Sequence, residues 1–182
     1  MDNKTFFKTR KGAAIVMAVL ILFSCWLGAN RSLGKLYRNV EDAFAVAQSA
    51  ADVSIEGCLN ERKTYARDLL TVAGRYLAAS DSNVKALTKA VDSLEKATTI
   101  AKKYDANVEM TSAAANLYDA LLPKSLTSND EMLVKKTYQN FKSLNDQMSH
   151  AAYNVLATEY NTVFKASPLS GISGQKKADL FQ

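Results

Sequence analysis

From Gly12 to Ala29 the chain reads GAAIVMAVLILFSCWLGA, eighteen residues without a charge. A helix of that length covers roughly 27 Å at about 1.5 Å per residue, close to the ~30 Å hydrocarbon core of a bilayer. Trp26 stands near its end, where an interfacial indole belongs. No other stretch is so uniformly apolar, so a transmembrane anchor explains it better than a buried core helix.

Beyond this run the pattern changes to stripes. Leu33, Tyr37, Val40, Phe44, Ala47 and Ala51 recur at four-then-three spacing and predict one core-facing helix. Leu59, Ala66, Leu69, Ala73 and Tyr76 continue the pattern to about Ala79. Ser80-Asp81-Ser82-Asn83 is a turn with ready N-caps. Val84, Leu87, Val91, Leu94, Thr98 and Ala101 form the next stripe. A break is expected near Asp105-Ala106-Asn107, before Val108, Thr111, Ala115, Tyr118 and Leu122. Pro123 and Thr127-Ser128-Asn129 make the following loop. The last helix opens at Ser128 or Asn129, with Asp130 and Glu131 in its first turn, where the helix dipole favours acids. It runs through Phe141, Leu144, Met148, Ala152 and Val155 to about Lys165. Pro168 and two glycines follow it.

Each helix carries one apolar face opposite a charged one, and no strand-like alternation occurs. The expected fold is therefore all-α: an N-terminal transmembrane helix followed by an antiparallel up-and-down bundle of about four long helices. The expected organisation is a basic flank over residues 1–11, an anchor over 12–29, a bundle over 30–166 and a tail over 167–182. Folding back of the tail onto the bundle is expected. With 182 residues and 48% hydrophobic composition, a single globular domain suffices.

The net charge of +5 is concentrated before the anchor, in Lys4, Lys8, Arg10 and Lys11 against Asp2. The remaining chain holds 19 basic and 17 acidic residues, so the basic balance is a membrane-flanking feature. No basic face interleaved with aromatics stands out, and nucleic acid is not expected as a partner. A basic start before a hydrophobic run also suits a cleaved signal peptide, but Trp26 and Leu27 spoil the small-residue cleavage pattern. Leu22-Phe23-Ser24-Cys25 is a loose lipobox, with Cys25 as its lipid acceptor; Phe23 and Trp26 weaken it. Held by the transmembrane run or by a lipidated Cys25, the protein stays at a membrane. Four basic residues precede the segment, and Arg31, Lys35 and Arg38 follow it. This excess favours a cytoplasmic N-terminus, with the soluble part outside the cell membrane.

Candidate chemistry is sparse. Cys25 and Cys58 form no CxxC or metal-ligand pattern, and a disulfide between them would place one partner in lipid. The single histidine, His150, has no nucleophile motif beside it. Glu41 and Asp42 are adjacent, so they point to different helix faces. No phosphate-cradling glycine loop occurs. Catalytic residues, metal ligands and cofactors are all expected to be absent, and the chain is not expected to be an enzyme.

The most distinctive pattern is Tyr153-Asn154, five residues, then Tyr160-Asn161, Pro168, two glycines and a terminal Phe181. It resembles the C-terminal signature of the LemA family, YN-x5-YN leading to a proline and a glycine-containing tail ending in an aromatic. Leu36-Tyr37-Arg38-Asn39-Val40-Glu41-Asp42-Ala43-Phe44 looks like that family's L-R-x-x-V-E-E-A-W. The family's central I-P-N-L-V and its E-N-R-I ahead of the first YN are not kept, so the chain looks like a divergent member. The resemblance implies one membrane segment and a helical bundle, and it implies no established reaction.

Residues seven apart return to nearly the same helix face. Tyr153 and Tyr160 thus share one stripe, and Asn154 and Asn161 the next. Packing predicts rings set against a neighbouring helix and asparagines bonded across the bundle. A recognition strip for a partner would leave these side chains exposed. The leading functional expectation is a membrane-anchored interaction or scaffold protein, touching lipid through its anchor and holding a protein partner. The alternative is a ligand-sensing domain with a pocket inside the bundle, lined by polar residues at core positions such as Thr98 and Asn145.

Overall fold

A computed structural model of the chain describes residues 10–49 and 52–182. Asp2, Lys4 and Lys8 of the basic flank and Ala51 of the first stripe lie outside the described residues. The expected all-α fold is observed. The helices are α1 (Arg10–Ala45), α2 (Ile55–Ala73), α3 (Ser82–Lys96), α4 (Ile100–Leu121), α5 (Ser128–Ser149) and α6 (Tyr153–Ala166). A 3-10 turn follows at Ser170–Ile172.

The chain forms two compact units. One contains the residues up to Glu41 with Thr158–Ala178; the other contains Asp42–Ala157 with Asp179–Gln182. The second unit holds the antiparallel bundle, in which α2 packs against α3, α4 and α5. Its core is built from Ile55, Leu69, Leu87, Met110, Leu117, Leu121 and Phe141, all essentially without exposure. Burying each such side chain contributes about 1.5–3 kcal/mol before the entropy of ordering is counted.

Four helices of the bundle begin on a side-chain cap, which satisfies an amide that has no partner within the helix. Ser54 accepts from Gly57 N at 3.1 Å and Asp81 from Asn83 N at 2.8 Å. Thr99 accepts from Lys102 N at 3.3 Å and Thr127 from Asp130 N at 3.2 Å.

In the first unit, α1 buries Leu33 and Val40 while the apolar run before them stays open. Leu20, Ile21, Leu22 and Phe23 are each more than half exposed. This helix is long and apolar enough to cross a membrane.

Three breaks differ from the sequence pattern. The stripe from Leu33 does not continue through Ala47, which is exposed, because α1 ends at Ala45. There the Asp52 carboxylate accepts from Gln48 N at 3.1 Å and Val53 N at 2.9 Å, giving the backbone a partner outside a helix. The break expected at Asp105-Ala106-Asn107 falls instead at Ala97–Thr99, where Thr99 caps α4. Thr98 is consequently an exposed linker residue, and Ala106 and Asn107 are buried inside α4. The single last helix is two: α5 stops at Ser149, His150 is its C-cap, and Ala152 N donates to the Asp52 carboxylate at 3.2 Å. Val155 is exposed on α6 rather than part of the core.

Candidate functional site

The two Tyr-Asn pairs lie on α6, one in each unit, and each pair holds a residue of the C-terminal tail in the same manner. In the bundle unit, Asn154 Nδ2 donates to Phe181 O at 2.9 Å, while Phe181 N donates to Asn154 Oδ1 at 2.8 Å. Tyr153 Oη donates to Asp179 O at 2.5 Å. In the other unit, Asn161 Nδ2 donates to Ala178 O and Ala178 N to Asn161 Oδ1, both at 2.9 Å. Tyr160 Oη donates to Lys176 O at 2.8 Å.

Each asparagine thus supplies one donor and one acceptor to a single residue, as a neighbouring β-strand would. The asparagines expected to bond across the bundle bond the tail backbone instead. A carboxamide is the side chain that can do this, since it carries both polarities on one planar group.

Both tyrosines are buried, Tyr153 at 1% and Tyr160 at 3% exposure. Phe44 packs edge-on against Tyr153 with centroids 5.2 Å apart, and Phe181 packs edge-on against Tyr104 at 5.3 Å. Tyr37 meets Tyr160 edge-on at 5.5 Å. Burial pushes the Tyr160 phenol above its ordinary pKa. Phe181 is buried with this group, whereas Pro168 is exposed between α6 and the 3-10 turn. Gly174, at φ +71°, supplies the left-handed backbone by which the tail turns.

Sequence reasoning missed the principal polar group of the bundle, Arg62, which has no exposure at all. One terminal nitrogen, Nη1, donates to Asn107 Oδ1 at 2.7 Å and Asn145 Oδ1 at 2.5 Å; Nη2 donates to Thr111 Oγ1 at 2.8 Å. The guanidinium lies 4.0 Å from the Phe141 ring centroid, a cation–π contact. Arg62 Nε has no hydrogen-bond partner. No carboxylate is among these partners, and burial pulls the Arg62 pKa down to about 10. The sequence did carry a signal: Arg62 falls on the α2 stripe, between Leu59 and Ala66.

Asn107 and Asn145 also wall a cavity of about 320 Å³, bounded further by Tyr104, Met148, Asn154 and Phe181. A second, more open hollow of about 400 Å³ lies among Asp52, Ser54, Cys58, Glu61, Tyr65 and Gln147. Burial raises the Cys58 pKa, which weakens that thiol as a nucleophile. Cys25 and Cys58 are both free. His150 is exposed. Among the described residues, no group of three or more His, Cys, Asp or Glu is placed to hold a metal ion.

No protein-family model, curated protein or solved structure matches the chain.

Proposed function

We propose that the chain is a single-pass membrane protein of the LemA type, whose helical bundle holds a protein partner and catalyses nothing itself. The observation that carries the anchoring is the exposure of α1: Leu20 and Ile21 at 58% and Leu22 at 69%, in its uncharged run from Gly12 to Ala29. Such surface is compatible with lipid and costly in water. A bundle whose singular features are a clasped tail and a neutral-ligand arginine suits binding better than acid–base chemistry. We place the bundle on the extracytoplasmic side, following the basic excess before the anchor. The full chain should remain in membranes through carbonate and high-salt washing; release into the supernatant would overturn the anchor. Cross-linking in intact membranes followed by mass spectrometry should recover one dominant protein partner, and recovery of the chain alone would count against the scaffold role.

A second reading, a ligand-sensing bundle, is favoured by one observation. Asn107 and Asn145, whose carboxamide oxygens accept from Arg62, line a cavity that also reaches Phe181. Native mass spectrometry of the chain taken from its own membranes tests it. A small molecule retained by the wild type and lost in Asn145→Ala supports sensing, and a bare mass in both removes it.

A further inference from the structure

We propose that the cavity beside the end of the apolar run of α1 seats the phosphodiester headgroup of an anionic phospholipid. The inference rests on the membrane reading above and adds what the protein recognises there. The cavity measures about 320 Å³ and is lined by Asn30, Arg31, Gly34, Tyr37, Arg38 and Gln175. All of these residues belong to the first unit.

Its position follows from the helix. The apolar run ends at Ala29, and Arg31, Lys35 and Arg38 follow at spacings of four and three, on one face. Arg31 stands about 3 Å and Arg38 about 13 Å beyond Ala29 along the axis. Headgroups occupy roughly 5–8 Å on each side of the hydrocarbon core. Side chains on a helix lean toward its N-terminus, which here is the membrane side. Arg38 does so: its Nε donates to Gly34 O at 3.2 Å, drawing the guanidinium back one turn. Among the described residues no ion pair engages Arg31, Lys35 or Arg38. The first acid after the apolar run, Glu41, lies beyond all three.

The tail completes the seat. Gln175 Nε2 donates to Asn30 Oδ1 at 3.2 Å, and Lys176 Nζ lies 5.9 Å from the Tyr37 ring centroid. A Cβ at position 34 would come within 3.2 Å of Gln175 Nε2, so Gly34 leaves room for that approach. Trp26 Nε1 donates to Ile172 O at 2.7 Å, which sets the 3-10 turn at the level of the last apolar turn of α1. Ile172 itself is 62% exposed there, an apolar side chain at the height of the lipid surface. Clustered cations beside a membrane span, with carboxamide donors among them, fit a phosphodiester whose headgroup carries no cation of its own better than a zwitterionic one, whose ammonium they would repel.

The full chain, purified in a neutral detergent, is titrated with phosphatidylglycerol, phosphatidylcholine or inorganic phosphate and read by native mass spectrometry. Phosphatidylglycerol adducts should exceed the others, and their affinity should fall about fivefold or more for each arginine lost in Arg31→Ala and Arg38→Ala. Arg31→Lys with Arg38→Lys should restore most of the binding, which separates charge from misfolding. Lys85→Ala with Lys89→Ala, exposed on α3, should change nothing. Equal uptake of the two lipids, undiminished uptake by the double alanine variant, or saturation by inorganic phosphate alone would each overturn the proposal. Release of the chain by carbonate would fell the anchor and this seat together. Carbonate resistance with equal uptake of both lipids would fell the seat alone.

Discussion

Asn154 holds Phe181 by both of that residue's backbone polar groups, at 2.9 and 2.8 Å. Asn161 repeats the arrangement on Ala178. A helix side chain thereby supplies the partner that a tail without secondary structure lacks. Buried backbone groups left unpaired are costly, so the carboxamides are what allow Ala178 and Phe181 to be buried.

Asn154→Ala should therefore release Phe181 and Asn161→Ala should release Ala178, each costing about 1–3 kcal/mol of stability. Hydrogen exchange checks this site by site: the Phe181 amide should lose protection in the first variant and the Ala178 amide in the second. Asn154→Asp should not rescue, since a carboxylate would face the Phe181 carbonyl without a donor. Unchanged exchange at both amides would contradict the clasp.

Arg62 permits a comparison of two ways to disturb one buried charge. Replacing a buried ion together with its partner by apolar side chains of similar volume is often mild, while removing one alone leaves the other unpaired. Arg62→Met and Asn107→Leu should thus each cost about 2–3 kcal/mol alone, and the double variant should cost clearly less than their sum. Denaturant unfolding of the three variants gives the comparison directly. A double variant whose loss equals the sum would show that Arg62 and Asn107 are not coupled.

The helices and their apolar faces were legible because burial leaves a period of 3.6 in the sequence. Leu59, Leu69, Leu87, Leu94, Phe141 and Leu144 were placed on core faces by spacing alone, and all are buried. The breaks at Ala45, Lys96 and Ser149 were not legible from that period, because single side-chain bonds set them. Asp52 accepts from three amides at two of these breaks, and Thr99 starts a helix that the stripe alone would have run past. Arg62 escaped because its residue type reads as surface even at a core position. The repeated Tyr-Asn pairs stood out as a pattern and a folded-back tail is expected from the sequence, but a tail lacking periodicity gives no sign of which of its residues the asparagines bond.

Two carboxylates give the fold an acid limit. A hydrogen bond from Gln48 N, with those from Ala152 N and Val53 N, holds Asp52 below the ordinary carboxylate range. The Tyr76 hydroxyl, at 2.5 Å from Asp130 Oδ2, does the same for Asp130 with help from Arg75. As pH falls through about 4, the unfolded chain takes up protons that the folded chain still refuses. Stability present above that range is then lost progressively toward the lower folded values. Asp52→Asn and Asp130→Asn should each lower stability at pH 7 and flatten its fall between about pH 5 and 3, as read from melting temperatures across that range. A wild-type melting temperature independent of pH there would refute both assignments.

Tyr160 separates packing from recognition most cleanly, because its ring and its hydroxyl can be removed one at a time. The ring is 3% exposed and packs against Tyr37 and Phe164, with centroids 5.5 and 5.8 Å away. Tyr160→Ala should cost about 3–5 kcal/mol, the range for deleting a buried aromatic. Tyr160→Phe keeps the ring and loses only the bond to Lys176 O, so about 1 kcal/mol is expected. The raised phenol adds a sign at high pH: the unfolded chain ionises first, near pH 10, and stability declines from there. Tyr160→Phe should remove part of that alkaline decline while retaining most of the stability at pH 7. Circular-dichroism melts of the full chain in detergent, at pH 7 and across pH 9–11, measure both effects. A recognition strip would behave differently: Tyr160→Ala would shift the melt by ~0.5 kcal/mol or less and instead reduce partner recovery. An alanine variant that melts with the wild type would therefore overturn packing as the role of the Tyr-Asn pairs.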